Sequence, residues 1–97
     1  MKVINMSSAT IVLPNEEILS NRMVTEINKN LSLQWKKDSQ KELINTKKPT
    51  PYEIEQRPKK LEMFNKAISL NQYIMRCKAY CSMVDSGEIR LIEGAKE

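Results

Sequence analysis

The sequence predicts a mainly α fold, a small helical bundle of two to three helices plus a short helix, with minor short strands near the N- and C-termini. Three observations lead there. Apolar residues recur at helical spacing through residues 15–45 and again through 59–84. A pair of prolines separates those stretches. Two glycines and one phenylalanine in 97 residues are too few for the turns and aromatic faces of an all-β protein.

Residues 1–13 read as an extended segment, because Ala9-Thr10-Ile11-Val12-Leu13 is β-branched and precedes a proline. Pro14-Asn15-Glu16-Glu17 then reads as a helix start, with Asn15 as cap or Pro14 in the first turn and the glutamates at the positive end of the helix dipole. From there Leu19, Met23, Ile27 and Leu31 recur every four residues, flanked by Ile18 and Val24. Asn28-Lys29-Asn30 weakens this pattern, so residues 15–45 form either one long bent helix or two helices broken near residue 30. Residues 46–51 are a proline-interrupted connector, since Pro49 and Pro51 remove donors and hold the chain extended. Thr50-Pro51-Tyr52-Glu53 has the spacing of a capping box, opening a helical region over residues 52–84. Pro58 divides it. The part after Pro58 carries two apolar bands. One holds Leu61, Phe64, Ile68, Met75, Ala79 and Met83; the wider one includes Met63, Leu70, Tyr73, Ile74, Cys77, Tyr80 and Val84. Asp85-Ser86-Gly87 ends the helix, and residues 88–93 read as a short strand able to pair with residues 9–13.

Ninety-seven residues imply one domain, 1–97. No run approaches the roughly 20 apolar residues of a membrane span, and the first residues lack the apolar core of a signal peptide. A cytoplasmic location is expected, with Cys77 and Cys81 as reduced thiols. Heavy use of Lys, Asn and Ile points to an AT-rich coding sequence, as in phages, mobile elements and low-GC bacteria.

The chain has no histidine. That removes Ser-His-Asp and Cys-His nucleophile arrangements, histidine zinc sites and the commonest general base. The acidic residues form no recognisable acid/base or metal motif, and two glycines leave no phosphate loop. No enzymatic activity, cofactor or metal is expected. Cys77 and Cys81 share a helix face, but metal and cluster sites favour tighter pairs from turns, so a core role is preferred over half of a shared metal site.

The expected function is therefore a non-catalytic protein-interaction module, an adaptor, inhibitor or assembly factor of the phage or mobile-element accessory kind. A helix apolar on two sides needs cover on both, from its own chain, from another protein or from a second copy in a homo-oligomer. Tyr73, Met75, Tyr80 and Met83 are the expected contacts. The alternative is nucleic-acid binding. Residues 36–60 hold eight basic and four acidic groups against eight of each elsewhere, so they carry the whole net charge of +4. Lys36, Lys37, Lys47, Lys48, Lys59 and Lys60 would meet phosphates, and Trp35 would stack on a base.

Overall fold

A computed structural model describes residues 1–92. Its secondary structure is 49% helix and 16% strand, arranged as a three-stranded sheet, a two-stranded hairpin and one long helix. This replaces the expected helical bundle of two to three helices. The correction falls mainly on residues 15–45, where most of a helix gives way to strands and turns.

The first strand, β1 (Lys2–Asn5), lies at the centre of the sheet. The chain then makes a hairpin of β2 (Ile11–Val12) and β3 (Ile18–Leu19), pairing Ile11 with Leu19 and Val12 with Ile18. Pro14, Asn15 and Glu16 form its loop. The Glu16 N–H donates to the Leu13 carbonyl (2.8 Å), and Glu16 sits in the left-handed region at φ 69°. That is the pattern of a three-residue hairpin loop closed by a left-handed residue. Pro14 and Asn15 are thus turn residues, with Asn15 Oδ1 accepting from the Glu17 N–H (3.1 Å). A second left-handed residue, Arg22 at φ 65°, turns the chain into β4 (Val24–Glu26), which runs antiparallel to β1. Two left-handed residues in seven positions are incompatible with a helix there.

Asn28 is the true start of the first helix. Its Oδ1 accepts from the Asn30 N–H (2.7 Å), capping α1 (Lys29–Asp38). Residues 39–50 then run without regular structure to α2 (Pro51–Gln56). Thr50 opens α2 with the capping box that its spacing predicts: Thr50 Oγ1 accepts from the Glu53 N–H (3.2 Å) and Glu53 Oε1 from the Thr50 N–H (3.1 Å). Pro58 sits at the first position of α3 (Pro58–Ser86), whose 29 residues span about 43 Å at 1.5 Å per residue. Gly87, at φ 86°, ends it in the left-handed conformation favoured at helix C-termini. The final strand, β5 (Ile89–Ile92), pairs with β1, setting Asn5 opposite Ile89 and Lys2 opposite Ile92. The strand expected at 88–93 is therefore present, with residue 93 outside the described residues, but its partner is residues 2–5 and not 9–13.

The core lies where sheet, hairpin, α1 and the C-terminal half of α3 meet. It contains Val3, Leu13, Leu19, Ile27, Trp35, Cys77, Tyr80 and Ile89. Trp35 and Tyr80 meet edge to face, with ring centroids 5.0 Å apart and planes at 75°. Such a pair contributes about 0.5–1.5 kcal/mol beyond the area it buries. Among the described residues the one wholly buried polar side chain is Asn5, and all of its bonding capacity is used. Its Nδ2 donates to the carbonyls of Ala9 (2.8 Å) and Leu19 (2.9 Å), while Oδ1 accepts from the N–H and the hydroxyl of Ser7 (both 2.8 Å). Asn5 thereby ties the central strand to the hairpin. Replacing it by leucine keeps the bulk and strands the buried Leu19 carbonyl. Urea unfolding of Asn5→Leu is expected to show a loss of about 2 kcal/mol; an unchanged midpoint would mean that these bonds add nothing to stability.

Candidate protein-docking site

The molecule is elongated, 58 × 25 × 19 Å, because α3 outruns the core. The buried residues of α3 are Ile74, Cys77 and Tyr80, all in its C-terminal half. Its N-terminal half, with α2 and residues 39–50, forms a stalk held partly by polar contacts.

The root of the stalk is Asp38, which is only 4% exposed at the C-terminal end of α1. A carboxylate there opposes the helix dipole and needs compensation. Tyr73 on α3 supplies most of it, its hydroxyl donating to Asp38 Oδ2 at 2.6 Å. Gln34 Nε2 donates to Oδ1 (3.1 Å), and Lys41 Nζ lies 3.0 Å from the same oxygen. The Tyr73 hydroxyl, with smaller help from Lys41 and Gln34, holds the Asp38 carboxyl below the usual carboxylate range against the opposing cost of burial. Burial foremost, and then the neighbouring carboxylate, push the Tyr73 hydroxyl well above its ordinary value.

Beyond this root, α3 fastens the extended segment through the main chain. Lys78 Nζ donates to the Ser39 carbonyl (2.7 Å). Two turns earlier on the helix, Asn71 clamps both polar groups of Ile44, accepting from its N–H (2.7 Å) and donating to its carbonyl (2.9 Å). One side-chain amide thus mimics a strand neighbour. At the far end, Lys60 Nζ lies 2.8 Å from Glu53 Oε2. The Lys60 ammonium and the Thr50 N–H together pull the Glu53 carboxyl down to about 2.

Between the extended segment and the first half of α3 opens a cleft of about 520 Å³. Its apolar lining is Ile44, Met63, Phe64 and Ala67, and its basic lining is Lys47, Lys48 and Lys60. Apolar surface is also left uncovered around it. Met63 is 70% exposed, Leu70 is 43% exposed, and Leu43 and Ile44 are exposed on the segment alongside. A second cleft, about 440 Å³, lies beside the core between α1, the end of α3 and β5, where Leu33, Val84 and Leu91 meet Lys36.

The four residues expected as protein contacts separate. Met75 is 55% exposed, whereas Tyr80 is a core residue, Tyr73 is largely covered and bonded to Asp38, and Met83 packs half-buried against the core. Trp35 is 1% exposed, so it has no face to offer a base. The lysines of the basic segment do not share one surface: Lys47, Lys48 and Lys60 line the stalk cleft, Lys36 lines the second cleft, and Lys37 and Lys59 are exposed outside both. Cys77 is fully buried, and burial pushes its thiol up, which keeps it protonated as a core group. Among the described residues no three His, Cys, Asp or Glu side chains gather as a metal site, and no helix is long and apolar enough to cross a membrane. Met63, Leu70, Ile44 and the Asn71 clamp are the site residues that sequence reasoning passed over. The apolar bands contain Met63 and Leu70, but spacing does not say which half of a helix its own chain covers.

Comparison with protein families, characterised proteins and solved structures finds no match to this chain.

The Tyr73–Asp38 bond carries a pH signature. A carboxyl with a lowered pKa stabilises the fold above its unfolded value, about 4, and the contribution disappears as pH falls through the folded value. A tyrosine with a raised pKa stabilises below its unfolded value, about 10, and loses that contribution as pH rises past it. Tyr73→Phe should therefore cost about 2 kcal/mol at neutral pH and flatten both the acid and the alkaline limb in denaturation series. Parallel pH curves for the two proteins would refute this role of the bond.

Proposed function

We propose that this chain is a non-catalytic protein-interaction module whose docking surface is the N-terminal half of α3 with the extended segment laid along it. The observation that carries this reading is the exposure of Met63, Leu70, Leu43 and Ile44 on one structured stalk. Isolated exposed apolar residues are ordinary on protein surfaces, but here four lie on one stalk and two of them, Met63 and Ile44, line one cleft, as interaction sites do. Methionine suits such a surface, because its unbranched thioether adapts to the shape of what it meets. Met75 is exposed as well, but on the other apolar band of α3, outside this surface.

Several features support a binding role over catalysis. The chain has no histidine. Of the thiols, Cys77 is in the core, and the carboxylates with lowered pKa, Asp38 and Glu53, are already engaged in structural bonds. The nucleic-acid reading loses its stacking residue to the core and keeps lysines alone. Lysine attracts phosphate without reading bases.

Site-specific photocrosslinking tests the docking surface. A photoreactive residue at Met63 or Leu70 is expected to give discrete protein adducts in the cells that make this protein, and one at the exposed Lys29 of α1 is not. Adducts in equal yield from all three positions, or from none, would refute the docking surface. In the purified protein, Leu70→Glu is expected to leave stability within about 0.5 kcal/mol, the range of ordinary surface changes, while abolishing the Met63 adducts.

A further inference from the structure

We infer that the occupant of the stalk cleft is an extended acidic peptide, a partner protein's segment in which carboxylates alternate with apolar side chains. This rests on the docking reading above and names the chemistry of the partner. The first argument is charge. Among the described residues, Lys47, Lys48 and Lys60 line the cleft with a single carboxylate, Glu53. That carboxylate is already engaged by Lys60 and by the Thr50 N–H, and its low pKa keeps it in the ionised form those partners hold. Three cations against one anion leave an excess of two positive charges over an apolar floor. Lys59 and Lys60 in the first turn of α3, which has no acidic residue, add to the positive end of the helix dipole instead of offsetting it. An anionic partner relieves that repulsion.

The second argument is the main chain. Ile44 has both polar groups bonded to Asn71, but Asn45, Thr46, Lys47 and Lys48 make no backbone hydrogen bond to the rest of the described protein. They form one wall of the cleft. A helical partner spends its own main-chain groups internally, whereas an extended one can bond to these, adding itself as a strand beside residues 45–48. Side chains of an extended peptide alternate in direction, so every second one faces Met63, Phe64 and Ala67 while the others meet lysine. The cleft, at about 520 Å³, has the volume of an ordinary ligand pocket. Nucleic acid satisfies the lysines but brings no apolar side chains for the floor.

Fluorescence anisotropy on the intact chain tests this. The probe is a fluorescein-labelled peptide of about eight residues, aspartate and glutamate flanking an Ile-Glu-Val centre. Its comparators are the same peptide with serine for Ile and Val, and single-stranded oligothymidylate. The acidic apolar peptide should bind at least about tenfold more tightly than either comparator. The double variant Lys47→Glu/Lys48→Glu should weaken it at least about tenfold, and Met63→Ser about threefold or more. The equal charge change Lys36→Glu/Lys37→Glu, on α1, should alter it less than about twofold. Comparable binding of the serine peptide or the oligonucleotide would overturn the inference, as would equal loss from the α1 variant or no binding at all. Absence of peptide binding with Met63 adducts intact would leave the docking surface standing with a different partner chemistry.

Discussion

Antiparallel pairing of β1 with β5 joins residues 2–5 to residues 89–92 and so brings together parts of the chain nearly its whole length apart. The rest of the structure follows from where this pairing puts α3. Because β5 begins three residues after α3 ends, the C-terminal turns of the helix must lie against the sheet. Ile74, Cys77 and Tyr80 are then carried into the core, where Tyr80 meets Trp35 of α1. The helix is too long to remain there. At about 1.5 Å per residue, the stretch from Pro58 to Leu70 extends roughly 20 Å beyond the buried turns, and among the described residues only α2 and one extended segment lie against it.

Different forces hold the two ends. The core end is hydrophobic, with one fully satisfied polar residue, Asn5, fixing how the hairpin sits on the central strand. The stalk relies more on polar contacts spaced along α3: Tyr73 to Asp38, Lys78 to Ser39, Asn71 to Ile44, and Lys60 to Glu53. Of these, only the Asp38 contact is shielded from water, so it carries more weight than the exposed Lys60–Glu53 pair, whose kind contributes little in solution. Half-buried Leu61, Phe64 and Ile68 add apolar contact without closing a second core.

What was legible in the sequence was local. Thr50, Pro51 and Glu53 specify a helix start through bonds within four residues, and Pro58 and Gly87 bound α3 through their own backbone preferences. Residues 15–28 misled because Leu19, Met23, Ile27 and Leu31 imitate a helical stripe. Leu19 and Ile27 do face the core, but one ends a strand and the other follows one, while Met23 and Leu31 face outward. The contrary signals were β-branched Ile18, Val24, Thr25 and Ile27, with Asn28 as a cap, and four-residue spacing outweighed them. The site was half legible. Apolar excess on α3 was visible, but its exposed portion depends on the β1–β5 pairing, a contact across nearly the entire chain that spacing does not encode. For the same reason Tyr80, expected as a contact, lies in the core instead.

The stalk raises a question of cost that bears on what it is for. Ordering a residue costs about 1–2 kcal/mol of backbone entropy, and from residue 39 to residue 70 only Pro49 is buried in return. A segment that only connected α1 to the core turns of α3 would not need this length or its apolar face. Such a region sits at the low end of local stability, and anything that binds its folded form shifts it further toward that form. Completing the cover of Met63 and Leu70 would then stabilise the stalk and form the complex in one step. The shortage of cover that makes the stalk weakly held is, on this reading, the same property that gives a partner something to gain by docking there.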